Sequence, residues 1–310
     1  MVNNISDKNS LIPIQTNGLL IVENSLEVTN KIIFNGIEQL FNEAFYLINN
    51  KHIERNDENF CFLIENDTEY LKRKNFRYLA NADCDYEKAI TLLQQIIEIK
   101  PNFKFAYNYS GVAKDSLKDY IGAITDFTKA IEIDNNYTFA YNNRGVTMIR
   151  IKEYNSAIAD FSTAIEIDPN YALAYNNRGA SWNIIKDFKS AIDDFNRSIE
   201  IDSNNTRPFN NRGNSKSELK DFDGAIDDFS HALEIDKKCI EAFNGRGFAK
   251  NELKDYQSAI DDFNKAIDIN PNFAFAYKNR GIAKNILGYI DESVADQLKY
   301  NELIKSKFNS

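Results

Sequence analysis

One spacing constrains this chain more than any other feature. Gly111, Gly145, Gly179, Gly213, Gly247 and Gly281 stand 34 residues apart, each closing a pentapeptide of one type. Three copies are nearly identical: Tyr141-Asn142-Asn143-Arg144-Gly145, Tyr175-Asn176-Asn177-Arg178-Gly179 and Phe209-Asn210-Asn211-Arg212-Gly213. Phe243-Asn244-Gly245-Arg246-Gly247, Tyr277-Lys278-Asn279-Arg280-Gly281 and Tyr107-Asn108-Tyr109-Ser110-Gly111 are variants. A fixed period of this size means a stack of like units, each too small to bury its own apolar face and completed by its neighbours.

The period frames the chain as units 104–137, 138–171, 172–205, 206–239, 240–273 and 274–307, after an eroded unit at 70–103. Within a unit the apolar pattern is helical twice. In 138–171, Ala140, Tyr141, Gly145, Met148 and Ile149 mark a first helix, Lys152-Glu153 a turn, and Tyr154, Ala157, Ile158, Phe161, Ala164 and Ile165 a second helix. Asp168-Pro169-Asn170 stops it, because proline cannot continue a helix.

A mid-helix glycine costs about 1 kcal/mol against alanine, so its recurrence predicts a close approach by another helix. Bulk to fill that approach recurs as Phe127, Phe161, Phe195, Phe229 and Phe263, with alanines at 123, 157, 191, 225 and 259 four residues earlier. The last unit departs: Ile290, Ser293, Gln297 and Tyr300 replace this pattern, and 290–307 reads as a more polar C-terminal cap. Residues 1–69 lack the repeat. Gly18–Val28 suggests a small hairpin, residues from about 30 to 49 a helix, and 36–69 a decayed repeat.

These residues resemble the tetratricopeptide repeat family, from about residue 70 to 307. The period, the aromatic-x-x-x-Gly start, the Ala and Phe columns and the Ile-x-Ile-Asp-Pro ending carry the likeness. The resemblance implies an all-α, right-handed superhelical solenoid of helix-turn-helix repeats, the first helix of each pair lining a concave groove. The chain departs from the family at the residue before the glycine, usually leucine and here Arg144, Arg178, Arg212, Arg246 and Arg280. It departs again three residues after the glycine, at Lys114, Met148, Trp182, Lys216, Lys250 and Lys284, where tyrosine is usual. Charge at an often apolar position needs a partner, and the aspartates at 126, 160, 194, 228 and 262 form a matching column on the second helices.

The resemblance also locates a candidate site. Asn108, Asn142, Asn143, Asn176, Asn177, Asn210, Asn211, Asn244 and Asn279 form a polar stripe on the first helices. An amide side chain both donates and accepts, so such a ladder suits the backbone of an extended peptide. The same amides would equally serve to bond one first helix to the next. Relatives that grip C-terminal carboxylates do so with basic residues here, whereas this stripe offers only Lys278, with Arg150 and Arg207 isolated.

The remaining observations narrow the function. A net charge of −9 opposes a nucleic-acid groove or an anionic membrane surface. Cys61, Cys84 and Cys239 have no metal-ligand spacing, and the polar N-terminus lacks a signal core, so a cytoplasmic protein is expected. His52 and His231 are isolated, and no metal or cofactor is implied. The Asp193-Asp194, Asp227-Asp228 and Asp261-Asp262 pairs recur with the repeat and read as a solvated acidic face rather than catalytic dyads. The expected function is a non-catalytic scaffold or adaptor for a protein or peptide partner. The alternatives are a regulatory subunit that docks through 1–69, and an enzyme with its site in 1–69.

Overall fold

The computed structural model describes residues 85–308, with side chains to 305. Among these residues there are thirteen α-helices and no strand. They are α1 (Tyr86–Ile99), α2 (Lys104–Ser116), α3 (Tyr120–Ile133), α4 (Thr138–Arg150), α5 (Tyr154–Ile167), α6 (Ala172–Ile184) and α7 (Phe188–Ile201). They continue as α8 (Thr206–Glu218), α9 (Phe222–Ile235), α10 (Ile240–Glu252), α11 (Tyr256–Ile269), α12 (Ala274–Ile286) and α13 (Ile290–Phe308). Each 34-residue frame from 104 onward holds one helix pair. The hairpin and helix expected in 1–69, the decayed repeat, the first half of the 70–103 frame, His52, Cys61 and Cys84 lie outside the described residues.

The chain divides into two compact units, 1–147 and 148–310. In the first, α1 packs on α2 and α2 on α3. In the second, the pairs α6–α7, α8–α9, α10–α11 and α12–α13 pack internally, each first helix rests on the second helix before it, and α6, α8, α10 and α12 lie side by side.

Both turns of the repeat have a local cause. Between the paired helices, Lys118, Lys186, Lys220 and Lys254 take the left-handed conformation at φ 65–67°, as does Lys152. The Lys118 N–H donates to the Asp115 carbonyl and the Asp119 N–H to the Lys114 carbonyl, which ends the first helix in a Schellman motif. The next residue starts the second helix: Asp119, Asp187, Asp221 and Asp255 each accept the backbone N–H three residues on. Glu153, one methylene longer, makes no such cap. The last two residues of a three-residue turn therefore close one helix and open the other.

The turn between units is held by an aspartate or asparagine. Asp134, Asp168, Asp202, Asp236 and Asn270 accept the N–H two residues on, at 2.9–3.2 Å. This explains why proline survives only at Pro101, Pro169 and Pro271: the Asx turn serves with or without it.

The glycines sit where the period predicts a close approach. A methyl group built on Gly111 or Gly179 falls 2.7 Å from the ring of Phe127 or Phe195, and one on Gly213 falls 2.9 Å from Phe229. Phe127, Phe161, Phe195, Phe229 and Phe263 are all buried, and the alanine column is buried with them. Phe229 is met from both sides, since Gly245 of the following unit also lies against it. The last unit is looser: nothing lies closer than 3.3 Å to a methyl on Gly281. Its helix α13 leaves Ile290, Val294 and Leu298 exposed.

Candidate functional site

The arginine before each glycine has a defined role. Arg178, Arg212, Arg246 and Arg280 each grip the aspartate 16 residues on with two parallel bonds, Nη2 to Oδ1 at 2.5–2.7 Å and Nε to Oδ2 at 2.8–2.9 Å. Nη1 then reaches back to the preceding second helix, to Ser162, Asn196, Ser230 and Asn264. In the first unit Arg144 Nη1 makes the same reach to Thr128. The guanidinium also lies 5.4–5.7 Å from the aromatic ring three residues before it.

The lysine three residues after the glycine joins this cluster. Lys216, Lys250 and Lys284 form ion pairs with Asp228, Asp262 and Asp296 at 2.9, 2.7 and 3.2 Å, and Lys114 with Asp126 at 2.6 Å. In α6 the position is Trp182, which carries no charge, and Arg178 is the ion-pair partner of Asp194. Burial pushes the Asp194 carboxyl above its usual range, against the pull of Arg178. The hydrogen bond to Asp194 in turn raises the Arg178 guanidinium. The two departures from the family pattern are thus halves of one device, a buried carboxylate between two cationic positions.

This corrects the reading of the aspartate pairs as a solvated face. Asp193, Asp227 and Asp261 are exposed, but Asp194, Asp228 and Asp262 are buried at 6, 2 and 4% exposure and consumed by ion pairs. Helical spacing turns neighbours in sequence apart, so the two members of a pair occupy different environments.

The asparagines form contacts among themselves. Asn143 Nδ2 donates to Asn108 Oδ1, Asn211 Nδ2 to Asn176 Oδ1, and Asn279 Nδ2 to Asn244 Oδ1, all at 3.1 Å and all between adjacent first helices. Within a pair, Asn142 donates to Asn143 and Asn176 to Asn177, at 3.4 and 3.3 Å. Asn108, Asn142 and Asn176 are buried and the others half-buried. Asn210 stands apart. Gly245 occupies the place of its donor, so Asn210 Oδ1 is enclosed without a partner and its Nδ2 turns to Cys239 Sγ. Burial raises the Cys239 thiol.

Sequence models of the tetratricopeptide repeat match residues 106–137, 150–181, 206–239 and 240–273. The chain belongs to the tetratricopeptide repeat family. No curated protein matches it. Solved tetratricopeptide-like structures share its fold. A tetratricopeptide repeat protein from Parabacteroides merdae is 15% identical, with a TM-score of 0.60, over 87% of this chain and 93% of its own. The APC/C hetero-tetramer Cut9–Hcn1 is 16% identical with a TM-score of 0.60, over 91% of this chain and 54% of its own. The pilF protein of Pseudomonas aeruginosa is 17% identical with a TM-score of 0.57, over 66% of this chain and 97% of its own. At these identities the likeness is one of fold.

On the first helices of this tetratricopeptide array the structure adds residues that the asparagine pattern did not mark. Phe248 on α10 and Phe275, Ile282 and Ile286 on α12 are 40–52% exposed. Phe275, Ile282 and Ile286 share one face of α12 by helical spacing, and Phe248 is the repeat counterpart of Ile282 on the neighbouring helix. The signal was present in the sequence as apolar residues outside the core columns, but only burial separates them from core.

His231 stacks on Phe209 at 5.6 Å and contacts the Asp227 carbonyl through Nδ1. Trp182 is half-buried. Among the described residues no group of three His, Cys, Asp or Glu side chains is arranged to hold a metal ion. No described helix is long and apolar enough to cross a membrane.

Proposed function

We propose that this chain is a protein-interaction scaffold that holds an extended peptide or a helix of its partner across the first helices. Tetratricopeptide repeats generally mediate protein–protein interaction, and their proteins are generally non-catalytic. The observation that carries the finer reading is the exposed apolar set Phe248, Phe275, Ile282 and Ile286 on the adjacent helices α10 and α12. Large apolar side chains left in water at repeat-related positions are the usual mark of an interaction surface. The asparagine stripe runs along these same first helices. Its amides brace one helix against the next and present their remaining edges to a peptide backbone.

The test is binding of the full chain to peptides selected on it by display. Phe248→Ala with Ile282→Ala is expected to weaken a selected peptide about tenfold or more, as loss of buried apolar anchors does. Replacing Asn143, Asn177 and Asn211 together by alanine is expected to weaken it further, by about 1 kcal/mol per lost bond. Unchanged affinity in both would place the partner elsewhere.

A further inference from the structure

Resting on that interaction reading, we infer that the surface formed by α8, α10 and α12 takes a segment carrying a basic side chain next to apolar ones. The first observation is an acid position confined to two adjacent repeats. Glu218 ends α8 and Glu252 ends α10, 34 residues apart, both exposed. At this position the other repeats carry Ser116, Arg150, Ile184 and Ile286. Elsewhere on the paired helices the buried carboxylates are held by arginine or lysine. Neither Glu218 nor Glu252 has an ion-pair partner among the described residues. Lys220 and Lys254, two residues further on in the left-handed turn, make no ion pair with either glutamate.

The second observation is a local surplus of unsatisfied polar atoms beside these two acids. Ser217 Oγ and Asn251 Oδ1, each next in sequence to one of the glutamates, are enclosed without a hydrogen-bond partner. Their repeat counterparts are satisfied: Asp115 accepts from Thr147 at 2.9 Å and Asn183 from Ser215 at 2.8 Å. The donor position of the following repeat has become Ala249 and Ala283, which have no hydroxyl. With Asn210 Oδ1, whose donor position is Gly245, three unmatched oxygens fall on α8 and α10. Two carboxylates without an ion pair, with the unpaired amide oxygens of Asn210 and Asn251 behind them, favour a cation at this surface.

The third observation sets the apolar half of the ligand. Phe248 lies one turn before Glu252 on the same face of α10, and Ile282 and Ile286 continue both rows on α12. A cation that meets Glu218 and Glu252 therefore has apolar neighbours to cover Phe248 and Ile282.

A twelve-residue random peptide library displayed on phage, panned against the full chain, tests this. The expected result is enrichment of Lys or Arg beside Leu, Ile or Phe. Glu218→Lys with Glu252→Lys should weaken the leading peptide about tenfold, as reversal of opposed charges does. Reversing its basic residue to Glu should recover binding to that double variant. Both glutamates are exposed, so circular dichroism of the variant should match the parent. Peptides that depend on Phe248 and Ile282 but show no basic bias and ignore the charge reversal would overturn this inference and leave the scaffold reading standing. Failure to enrich any peptide sensitive to either pair of substitutions would remove both.

Discussion

Arg212 holds Asp228 by two parallel bonds, Nη2 to Oδ1 at 2.5 Å and Nε to Oδ2 at 2.9 Å, while its third nitrogen bonds Asn196 one helix back. One side chain thus ties α8 to α9 within its own repeat and to α7 of the repeat before. Asp228 is 2% exposed, so the pair is buried as well as bidentate. Burial makes its two halves unequal to its sum. Arg212→Ala leaves the desolvated carboxylate with Lys216 alone and should cost about 3 kcal/mol, whereas removing both charges with Arg212→Met and Asp228→Leu should cost much less. Urea unfolding of the two single variants and the double variant measures this. A double variant as unstable as the sum of the singles would mean the charges do not act as a pair.

The turn lysines carry backbone strain. Lys220 sits at φ 66°, where a side chain crowds the following carbonyl. Lys220→Gly relieves this but adds freedom to the unfolded chain, so the net gain should be about 0.5 kcal/mol. Lys220→Val, branched at Cβ, should lose stability in the same denaturation series. The last turn of the array already carries Gly288, at φ 84°.

Two missing hydroxyls can be restored. Ala249→Ser supplies a donor for Ser217 Oγ, and Ala283→Ser one for Asn251 Oδ1, as Ser215 does for Asn183. Each bond satisfies a buried orphan and is worth about 1 kcal/mol, against roughly half that in lost helix propensity. A small rise in the urea midpoint for each, additive in the pair, is the expected outcome. The equivalent repair at Gly245 should fail, because a Cβ there falls 2.5 Å from Phe229, and overpacking costs about 1–3 kcal/mol.

Acid should uncouple the Asp187 helix cap. Hydrogen bonds from the Ser190 side chain and backbone hold the Asp187 carboxyl below its ordinary value of 3.8. A carboxylate depressed in the folded state stabilises it above the unfolded pKa, and that stabilisation is lost as pH falls through the folded value. The stability difference between the parent and Asp187→Ala should be constant down to about pH 5 and shrink below 3.8. A difference that persists at the acid end would show that the cap acts through shape and not charge.

The architecture was legible because periodicity is a property of the chain itself. Gly111 and its five successors announced a close helix approach, and the phenylalanine column named what fills it. The arginine and aspartate columns matched in period, so their pairing was legible too. The lysine after the glycine was visible only as a departure, since its partner lies across a turn and no local pattern links the two. The same limit made Asp193 and Asp194 look alike: adjacent residues on a helix diverge by about 100°, and burial of one depends on the helix it meets.

What the sequence determined by itself was the repeat unit, its two helices, their turns and their internal knob-and-gap fit, because each depends on residues within one or two periods. What only the tertiary structure decided was which groups remain unsatisfied. In sequence Asn210 matches Asn176, and Ser217 and Asn251 match the polar Asn183; only the following helix laid beside them sets them apart. There Gly245, Ala249 and Ala283 supply no donor, because hydrogen bonding between stacked repeats is settled by both partners at once.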